Sequence, residues 1–230
     1  MPIMIHTRAA ALLPKSAAYL IGHLAMIFLP AGGFGYPQGW AFFSLLLASA
    51  AVHLALLARD PELEKERSSP GKGIKTWDRF LAPAAQWSIY AAIFVSASER
   101  GYLGDAGNFR TAAAAAGLPL YAAGNALFLY AMASNRFFSS ISRIQSDRGH
   151  ATQEGGPYRW VRHPGYAGAC LQLAAIPLAL GSAAGAIPAL AGILLFIVRT
   201  RLEDGMLAKE LAGYPDYALK VKARLLPGVW

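Results

Sequence analysis

Residues 165–198, GYAGACLQLAAIPLALGSAAGAIPALAGILLFIV, form a run of 34 residues without a charged side chain. As one α-helix this run would be about 51 Å long, whereas the apolar core of a bilayer is about 30 Å thick. Its middle, GSAAG at 181–185, is rich in residues that let the chain turn. The run therefore predicts a helical hairpin at 165–198, whose second arm continues beyond Arg199.

Four other stretches also lack charged residues, and each is close to the ~20 residues that cross a bilayer core. They are 17–34, 40–58, 80–98 and 111–134. Only 15% of the chain is charged, and 55% is hydrophobic. Soluble domains carry about 25% charged residues. We therefore predict an all-α fold, a polytopic integral membrane helical bundle of four transmembrane helices, followed by the hairpin and a cytosolic tail.

The predicted helices and loops divide the chain into two units. Residues 1–134 are expected to hold the four transmembrane helices and a solvated cytosolic connector at 59–79. Residues 135–230 are expected to hold a loop, the hairpin and the tail, whose basic and aromatic segment 213–227 predicts an interfacial helix. Pro30 and the glycines that follow it are expected to break the outer end of the first helix.

The basic residues indicate the orientation in the membrane. If the N-terminus lies inside, every Lys and Arg except Arg100 and Arg110 falls on the cytosolic side. This positive-inside pattern predicts that both termini are cytosolic. It also explains the net charge of +8 by topology and anionic lipid, so the bilayer is an expected partner and nucleic acid is not.

Several classes of site are disfavoured. One cysteine and five dispersed histidines show no metal-ligand spacing, so we expect no metal. Because the membrane stretches hold no Asp, Glu, Lys or Arg, the pattern is not that of an ion pump or channel. Their polar residues are candidates either for hydrogen bonds between helices or for ligand contacts. The main ones are His23, His53, Gln86, Asn125 and Gln172.

Polar and aromatic residues precede the hairpin in the segment GPYRWVRHPGY at 156–166. Pro164 fits the first position of a helix, whose free N–H groups and dipole favour an anionic group. Arg162 adds a cation next to His163, while Tyr158 and Tyr166 add hydroxyls and flat faces. This set suits a small zwitterionic or nucleotide-like cofactor. Alternatively, the arginines are topological anchors and the tyrosines belong to an aromatic belt.

A second polar cluster, RTRLED at 199–204, follows the hairpin. Arg199 and Glu203 are four residues apart and share a helix face. If the two arms are antiparallel, Glu203 lies near His163 and Tyr166. The alternative is a structural salt bridge.

These motifs together resemble those of the isoprenylcysteine carboxyl methyltransferase and phospholipid methyltransferase superfamily, in its bacterial branch. They are Gly-Pro-Tyr-Arg-x-Val-Arg-His-Pro-x-Tyr-x-Gly at 156–168, Arg-x-Arg-x-Glu at 199–203, Gly-Tyr-x-x-Tyr at 213–217 and Arg-Leu-Leu-Pro at 224–227, with NRFF at 135–138 and DRGH at 147–150 upstream. The resemblance covers residues 135–230 and implies that this unit is the methyltransferase core. It also implies a bacterial inner membrane.

The resemblance implies an S-adenosylmethionine site at the cytosolic face. The residues expected to bind this cofactor are Tyr158, Arg162, His163, Tyr166, Glu203 and Tyr214. Glu203 is also expected to act in catalysis by accepting hydrogen bonds from the cofactor. Arg224 or Arg136 is expected to steer an anionic group of the methyl acceptor.

The implied function is methyl transfer to a lipophilic or small membrane-accessible acceptor, through a carboxylate, an amine or a thiol. The tail lacks the Val-Pro and Gly-Leu-Pro segments of the prenylcysteine enzymes, which argues against a prenylcysteine acceptor. Two alternatives are an NADPH-dependent sterol or steroid reductase, since those enzymes also carry Arg-His-Pro-x-Tyr, and a non-enzymatic lipid-binding protein. The sequence does not identify the acceptor or the oligomeric state.

Overall fold

The computed structural model describes residues 2–104 and 108–230, with the side chains of 10–104 and 110–230. The side chain of Arg8, one of the predicted cytosolic cations, lies outside the described part. Within it the chain forms eight α-helices and no strand, which confirms the all-α prediction. The helices are α1 (Pro2–Phe28), α2 (Pro37–Arg59), α3 (Pro61–Ser68), α4 (Asp78–Leu103), α5 (Asn108–Ser134), α6 (Pro164–Ala179), α7 (Ala186–Glu210) and α8 (Tyr214–Lys220).

Four of these helices are long and apolar enough to cross a membrane, which confirms the predicted membrane bundle. The spans are Ala10–Phe28, Pro37–Arg59, Asp78–Leu103 and Arg110–Ser134. The first differs from the predicted 17–34, because α1 begins earlier and ends at Phe28. Gly32 and Gly33 have positive φ angles of 81° and 131°, a conformation that glycine adopts readily and that stops the helix.

The hairpin turns between α6 and α7 at the predicted glycine-rich segment. Gly181 has a φ angle of 61°, and its carbonyl accepts a hydrogen bond from Arg110 at 2.9 Å. The carboxylate of Glu99 accepts hydrogen bonds from the Ser182 hydroxyl at 2.6 Å and the Ala184 N–H at 2.7 Å. The hairpin therefore reaches the end of α4 and the start of α5, on the side opposite the polar loops.

Helix α6 lies at the centre of the bundle. Its side chains Leu173 and Ile176 are fully buried, and it packs against α4, α5 and α7. Small residues bring α5 and α6 together, since a Cβ atom on Gly124 would lie 2.8 Å from the carbonyl oxygen of Gly168. Such close approach is typical of helix pairs in membranes, where backbone packing replaces the hydrophobic effect.

The connector at 59–79 differs from the solvated loop that the sequence predicts. It contains α3, whose Glu66 is 3% exposed and pairs with Arg143 at 2.6 Å. Burial would raise the pKa of Glu66, but hydrogen bonds from Arg143 and Ser139 lower it below its ordinary value. The ion pair therefore fixes α3 against the loop that precedes the hairpin.

The tail also departs from prediction, because only α8 is helical in place of a longer interfacial helix. Beyond it the chain runs back along the loop before α6. The carbonyls of Ala223 and Arg224 accept hydrogen bonds from the N–H groups of Arg162 and His163, at 2.9 and 3.0 Å. Ala223 and Arg224 lie beyond the end of α8, and their carbonyls bind the loop in place of the N–H groups that a continuing helix would offer.

Candidate functional site

The loop that enters α6 is held by its own backbone and by the tail. Gly156 has a φ angle of 57° and begins a 3-10 turn, Gly156–Arg159. Pro164 is the first residue of α6, as predicted, and His163 precedes it in the capping position. The loop therefore places the side chains of Tyr158, His163 and Tyr166 at one end of the bundle.

Asp204 on α7 is the centre of a buried polar cluster. Its carboxylate accepts two hydrogen bonds from Arg162, at 2.8 and 2.9 Å, and one from Tyr214 at 2.7 Å. It also accepts one from Arg224 at 2.8 Å and contacts the His163 Nε2 at 3.2 Å. One carboxylate thus joins the loop before α6, helix α7 and the tail.

This cluster has an electrostatic consequence. Burial would raise the pKa of Asp204, but the hydrogen bonds from its four partners lower it well below the ordinary value. Asp204 is therefore ionised at neutral pH. Burial and the neighbouring Asp204 charge raise the pKa of the Tyr214 hydroxyl, so Tyr214 stays protonated and donates.

Glu203, the residue before Asp204, faces a different set of groups. Its Oε2 accepts hydrogen bonds from the Tyr166 hydroxyl at 2.5 Å and the Ser142 hydroxyl at 2.6 Å. No partner for its Oε1 is found among the described residues, so that oxygen is available to accept further bonds. The rings of His163 and Tyr166 are stacked, with their centroids 5.8 Å apart.

Tyr158 lies in the 3-10 turn of the loop that enters α6. Its hydroxyl accepts a hydrogen bond from the Asn135 amide at 3.1 Å, and its carbonyl accepts one from Tyr217 at 2.6 Å. Burial raises the pKa of Tyr158, so its hydroxyl keeps a proton to donate. Asn135 begins the loop that leaves α5, and its side-chain oxygen also accepts a hydrogen bond from the Phe137 N–H at 2.9 Å.

A single cavity of about 740 Å³ connects this polar end with the interior of the membrane bundle. This volume is within the range of small-molecule sites. All six residues predicted to bind a cofactor line it: Tyr158, Arg162, His163, Tyr166, Glu203 and Tyr214. We call the part of the cavity lined by these six residues the polar end. It lies on the side of the helical bundle that carries most of the basic residues.

The other part of the cavity lies among the transmembrane helices, and we call it the membrane part. All five polar residues singled out in the membrane stretches line it, which are His23, His53, Gln86, Asn125 and Gln172. Asn125 accepts a hydrogen bond from Ser49 at 2.9 Å, so it does join two helices. No hydrogen-bond partner for the Gln86 and Gln172 side chains is found within the described ranges.

The structure does not bring the two predicted acceptor arginines into the cavity. Arg136 is exposed and pairs with Glu62 at 3.1 Å. Arg224 lies behind Asp204, with its Nε bound to that carboxylate and its guanidinium 5.1 Å from the Trp230 ring. Neither lines the cavity.

Arg199 and Glu203 do not form the salt bridge considered as an alternative. Arg199 instead forms a bidentate ion pair with Asp78 on α4, in which its Nε and Nη2 donate to the two carboxylate oxygens at 2.8 and 3.0 Å. Asp78 is fully buried and also accepts a hydrogen bond from the Ser142 N–H. The pair thereby positions Ser142, which in turn contacts Glu203.

Sequence reasoning missed several residues of the site. Asp204 and Asn135 stand inside the segments 199–204 and 135–138, and Arg162, once buried, is a signal that a carboxylate lies nearby. Asp78 and Ser142 carry no such signal, because their partners are distant in sequence.

The comparisons with known proteins bear on the same region. Residues 116–209 match the sequence model of the isoprenylcysteine carboxyl methyltransferase family. None of the curated proteins matches the chain. The matched region contains α6, nearly all of α7 and the loop with Tyr158 and His163, whereas the tail lies beyond it. The match confirms the resemblance predicted from the sequence: residues 116–209 are similar to the isoprenylcysteine carboxyl methyltransferase family, in a chain with four helices long and apolar enough to cross a membrane.

Proposed function

We propose that this protein transfers a methyl group from S-adenosylmethionine to a lipophilic or small acceptor that is reached from the membrane. The family match supports methyl transfer. The observation that carries the proposal is the cavity itself, since one continuous space joins the polar end to the membrane part. A water-soluble donor and a lipophilic acceptor require such a connection.

The residues of the polar end fit this cofactor chemically. The free Oε1 of Glu203 matches the ammonium or hydroxyl groups of S-adenosylmethionine. The flat faces of Tyr158, Tyr166 and His150 suit its adenine ring and its sulfonium cation. When bound, the cofactor supplies a methyl group activated by the positive sulfur.

The protein's own contribution is positioning. In-line transfer needs the reacting atoms about 3–3.5 Å apart, and holding them so contributes several kcal/mol. Tyr166 and Ser142 fix Glu203, while Asp204 fixes His163. These groups are therefore arranged before any ligand binds.

His150 favours an acceptor that is already ionised. His150 Nδ1 accepts a hydrogen bond from the Gln145 N–H at 3.2 Å, so the ring proton is on Nε2. Burial lowers the pKa of His150, which keeps the ring neutral. His150 therefore offers no free nitrogen as a base, whereas a carboxylate acceptor needs no base. His163 Nε2 is engaged by Asp204 and Tyr214.

We further propose the orientation in which the polar end faces the cytosol. The basic residues of the connector, the loop at 135–163 and the tail all support it through the positive-inside rule. In this orientation both termini are cytosolic, and S-adenosylmethionine enters from the cytosol. Residues 135–230 then supply most of the cofactor site, and residues 1–134 supply much of the wall of the membrane part.

Calorimetry of S-adenosylmethionine binding in detergent tests the proposal. Glu203→Gln removes the charge and preserves the shape, and a hydrogen bond to a charged group contributes about 1.5–3 kcal/mol. We therefore expect binding to weaken at least about tenfold. The matched control is Glu210→Gln on the same helix, where the side chain pairs with Lys75 at the surface.

The control variant should bind like the wild type. A parallel titration with NADPH should show no binding. Retention of wild-type affinity in Glu203→Gln, or binding of NADPH in place of S-adenosylmethionine, would contradict the proposed site.

A further inference from the structure

One half-buried arginine of the cavity lining has no acidic partner among the described residues. Three of its arginines are paired with carboxylates: Arg143 with Glu66, Arg162 with Asp204 and Arg199 with Asp78. Lys15 lies exposed on α1. Arg67, at the end of α3, is the remaining cation of the lining. Among the described residues it makes no ion pair or hydrogen bond.

The surroundings of Arg67 are aromatic. Its guanidinium carbon lies 5.4 Å from the ring centre of Phe138 and 5.9 Å from that of Phe128. Burial lowers the pKa of Arg67 to about 10, so the group is still charged at neutral pH. The two rings orient the guanidinium, but they do not use its five N–H donors. A half-buried cation whose donors are not used by the described residues is a candidate site for an oxyanion.

Arg67 also lies close to the polar end of the cavity. The Phe138 ring beneath it reaches the start of α6, where a Cβ atom on Gly165 would lie 2.7 Å from the ring. Gly165 is next to Tyr166, which contacts Glu203. One aromatic ring therefore separates Arg67 from the first turn of α6, and Phe128 on α5 connects it to the membrane part.

We propose that Arg67 binds an anionic group of the methyl acceptor, a carboxylate or a phosphate, while the apolar body of the acceptor occupies the membrane part. This inference rests on the proposed function. It assigns to Arg67 the role that the sequence suggested for Arg224 or Arg136, both of which lie outside the cavity. The planar guanidinium fork suits two-point binding of either oxyanion.

The proposal is tested with three lipids that share one chain and differ in the head group. They are oleate, oleoyl lysophosphatidic acid and oleyl alcohol, each titrated into the full-length protein in non-ionic detergent. The wild type should bind at least one of the two anionic lipids about tenfold more tightly than the alcohol. Preference for oleate indicates a carboxylate acceptor, and preference for the lysophosphatidic acid indicates a phosphate.

Two variants and a control isolate the role of Arg67. Arg67→Ala should lose the preference for the anionic lipid, whereas Arg67→Lys should keep part of it. Arg59→Ala, an exposed arginine outside the large cavity, should keep it fully. Cooperative thermal unfolding of each variant shows that it is folded.

An anionic preference that persists in Arg67→Ala, or that is absent in the wild type, overturns the proposal. S-adenosylmethionine affinity is measured in the same samples and should not change in Arg67→Ala. If no sample binds S-adenosylmethionine, the proposed function is contradicted. The role of Arg67 is still tested separately, because the comparison of lipid head groups does not depend on cofactor binding.

Discussion

The substitution Asp204→Asn should destabilise the protein more than any other change of one carboxylate to its amide at the polar end. It leaves the shape of the side chain intact but removes the charge that Arg162, Tyr214 and Arg224 bind. The side chains of Arg162 and Asp204 are only 6% and 10% exposed, so water replaces little of the lost interaction. The new amide N–H group also faces donors rather than acceptors.

The magnitude follows from the geometry. Removing one partner of a buried ion pair costs about 3–5 kcal/mol. Arg162 keeps two carbonyl acceptors, Val221 at 2.8 Å and Lys222 at 2.9 Å. We therefore expect the lower end of the range, about 3 kcal/mol. At about 2–4 °C per kcal/mol for a chain of this length, Tm should fall by about 6–12 °C.

The assay uses the single cysteine of the chain. Cys170 lies half-buried in α6, so a thiol-reactive fluorescent dye reports the exposure of this helix on heating. Asp216→Asn, an exposed carboxylate on α8, is the matched control and should leave Tm unchanged. Equal Tm values for the wild type and Asp204→Asn would refute the idea that Asp204 joins the loop, α7 and the tail.

Three further predictions concern stability. Gly124→Val should lower the free energy of unfolding by about 1–3 kcal/mol, because the added side chain would clash with the Gly168 carbonyl. Gly22→Val is the control, because open space surrounds Gly22. Equal Tm values for the two variants would contradict the close packing of α5 on α6. Glu99→Gln should weaken the hydrogen bonds that hold the hairpin turn and lower the free energy of unfolding by about 1–2 kcal/mol, which lowers Tm. An unchanged Tm would contradict the role of Glu99 in holding the turn. The folded-state pKa values of Glu66 and Asp204 are lowered, so their contribution is present at neutral pH and is lost as pH falls below their ordinary values of 4.5 and 3.8. Tm should thus fall below about pH 4, less steeply in Asp204→Asn, and parallel curves would contradict this.

The membrane architecture was predictable because its signals are local. A span of about 20 apolar residues needs no knowledge of its neighbours. The glycines at 181–185 likewise mark the turn between α6 and α7 within the run itself. The first helix begins earlier than predicted, because hydropathy does not mark where a helix extends into more polar sequence before residue 17. Its outer end, at Phe28, agrees with the break expected at Pro30 and the glycines that follow it.

Part of the site was also predictable. The position of Glu203 beside Tyr166 follows from two antiparallel arms joined by a short turn, although 37 residues separate the two. The residues of the loop that are predicted to bind the cofactor stand in one continuous motif. The long-range ion pairs were not predictable, since Asp78 and Arg199 are 121 residues apart and neither position constrains the other locally.

The tail shows the limit of periodicity as a guide. Its amphipathic pattern is compatible with a helix. The backbone N–H groups of Arg162 and His163 nevertheless bind the carbonyls of Ala223 and Arg224, and the described part of the chain offers them no other acceptor. The satisfaction of buried backbone groups outweighs the helix propensity of a short exposed segment. As a result, Arg224 binds Asp204 and lies outside the cavity.

The most direct test of the central claim is transfer of labelled methyl from S-adenosylmethionine to a membrane lipid extract by the purified protein, with the product identified by mass spectrometry. We expect label to enter an amphiphilic lipid with the wild type and with Glu210→Gln, and we expect Glu203→Gln to abolish or strongly reduce this labelling. A protein that binds the cofactor but methylates no component of the extract, or a Glu203→Gln variant as active as the wild type, would contradict the account.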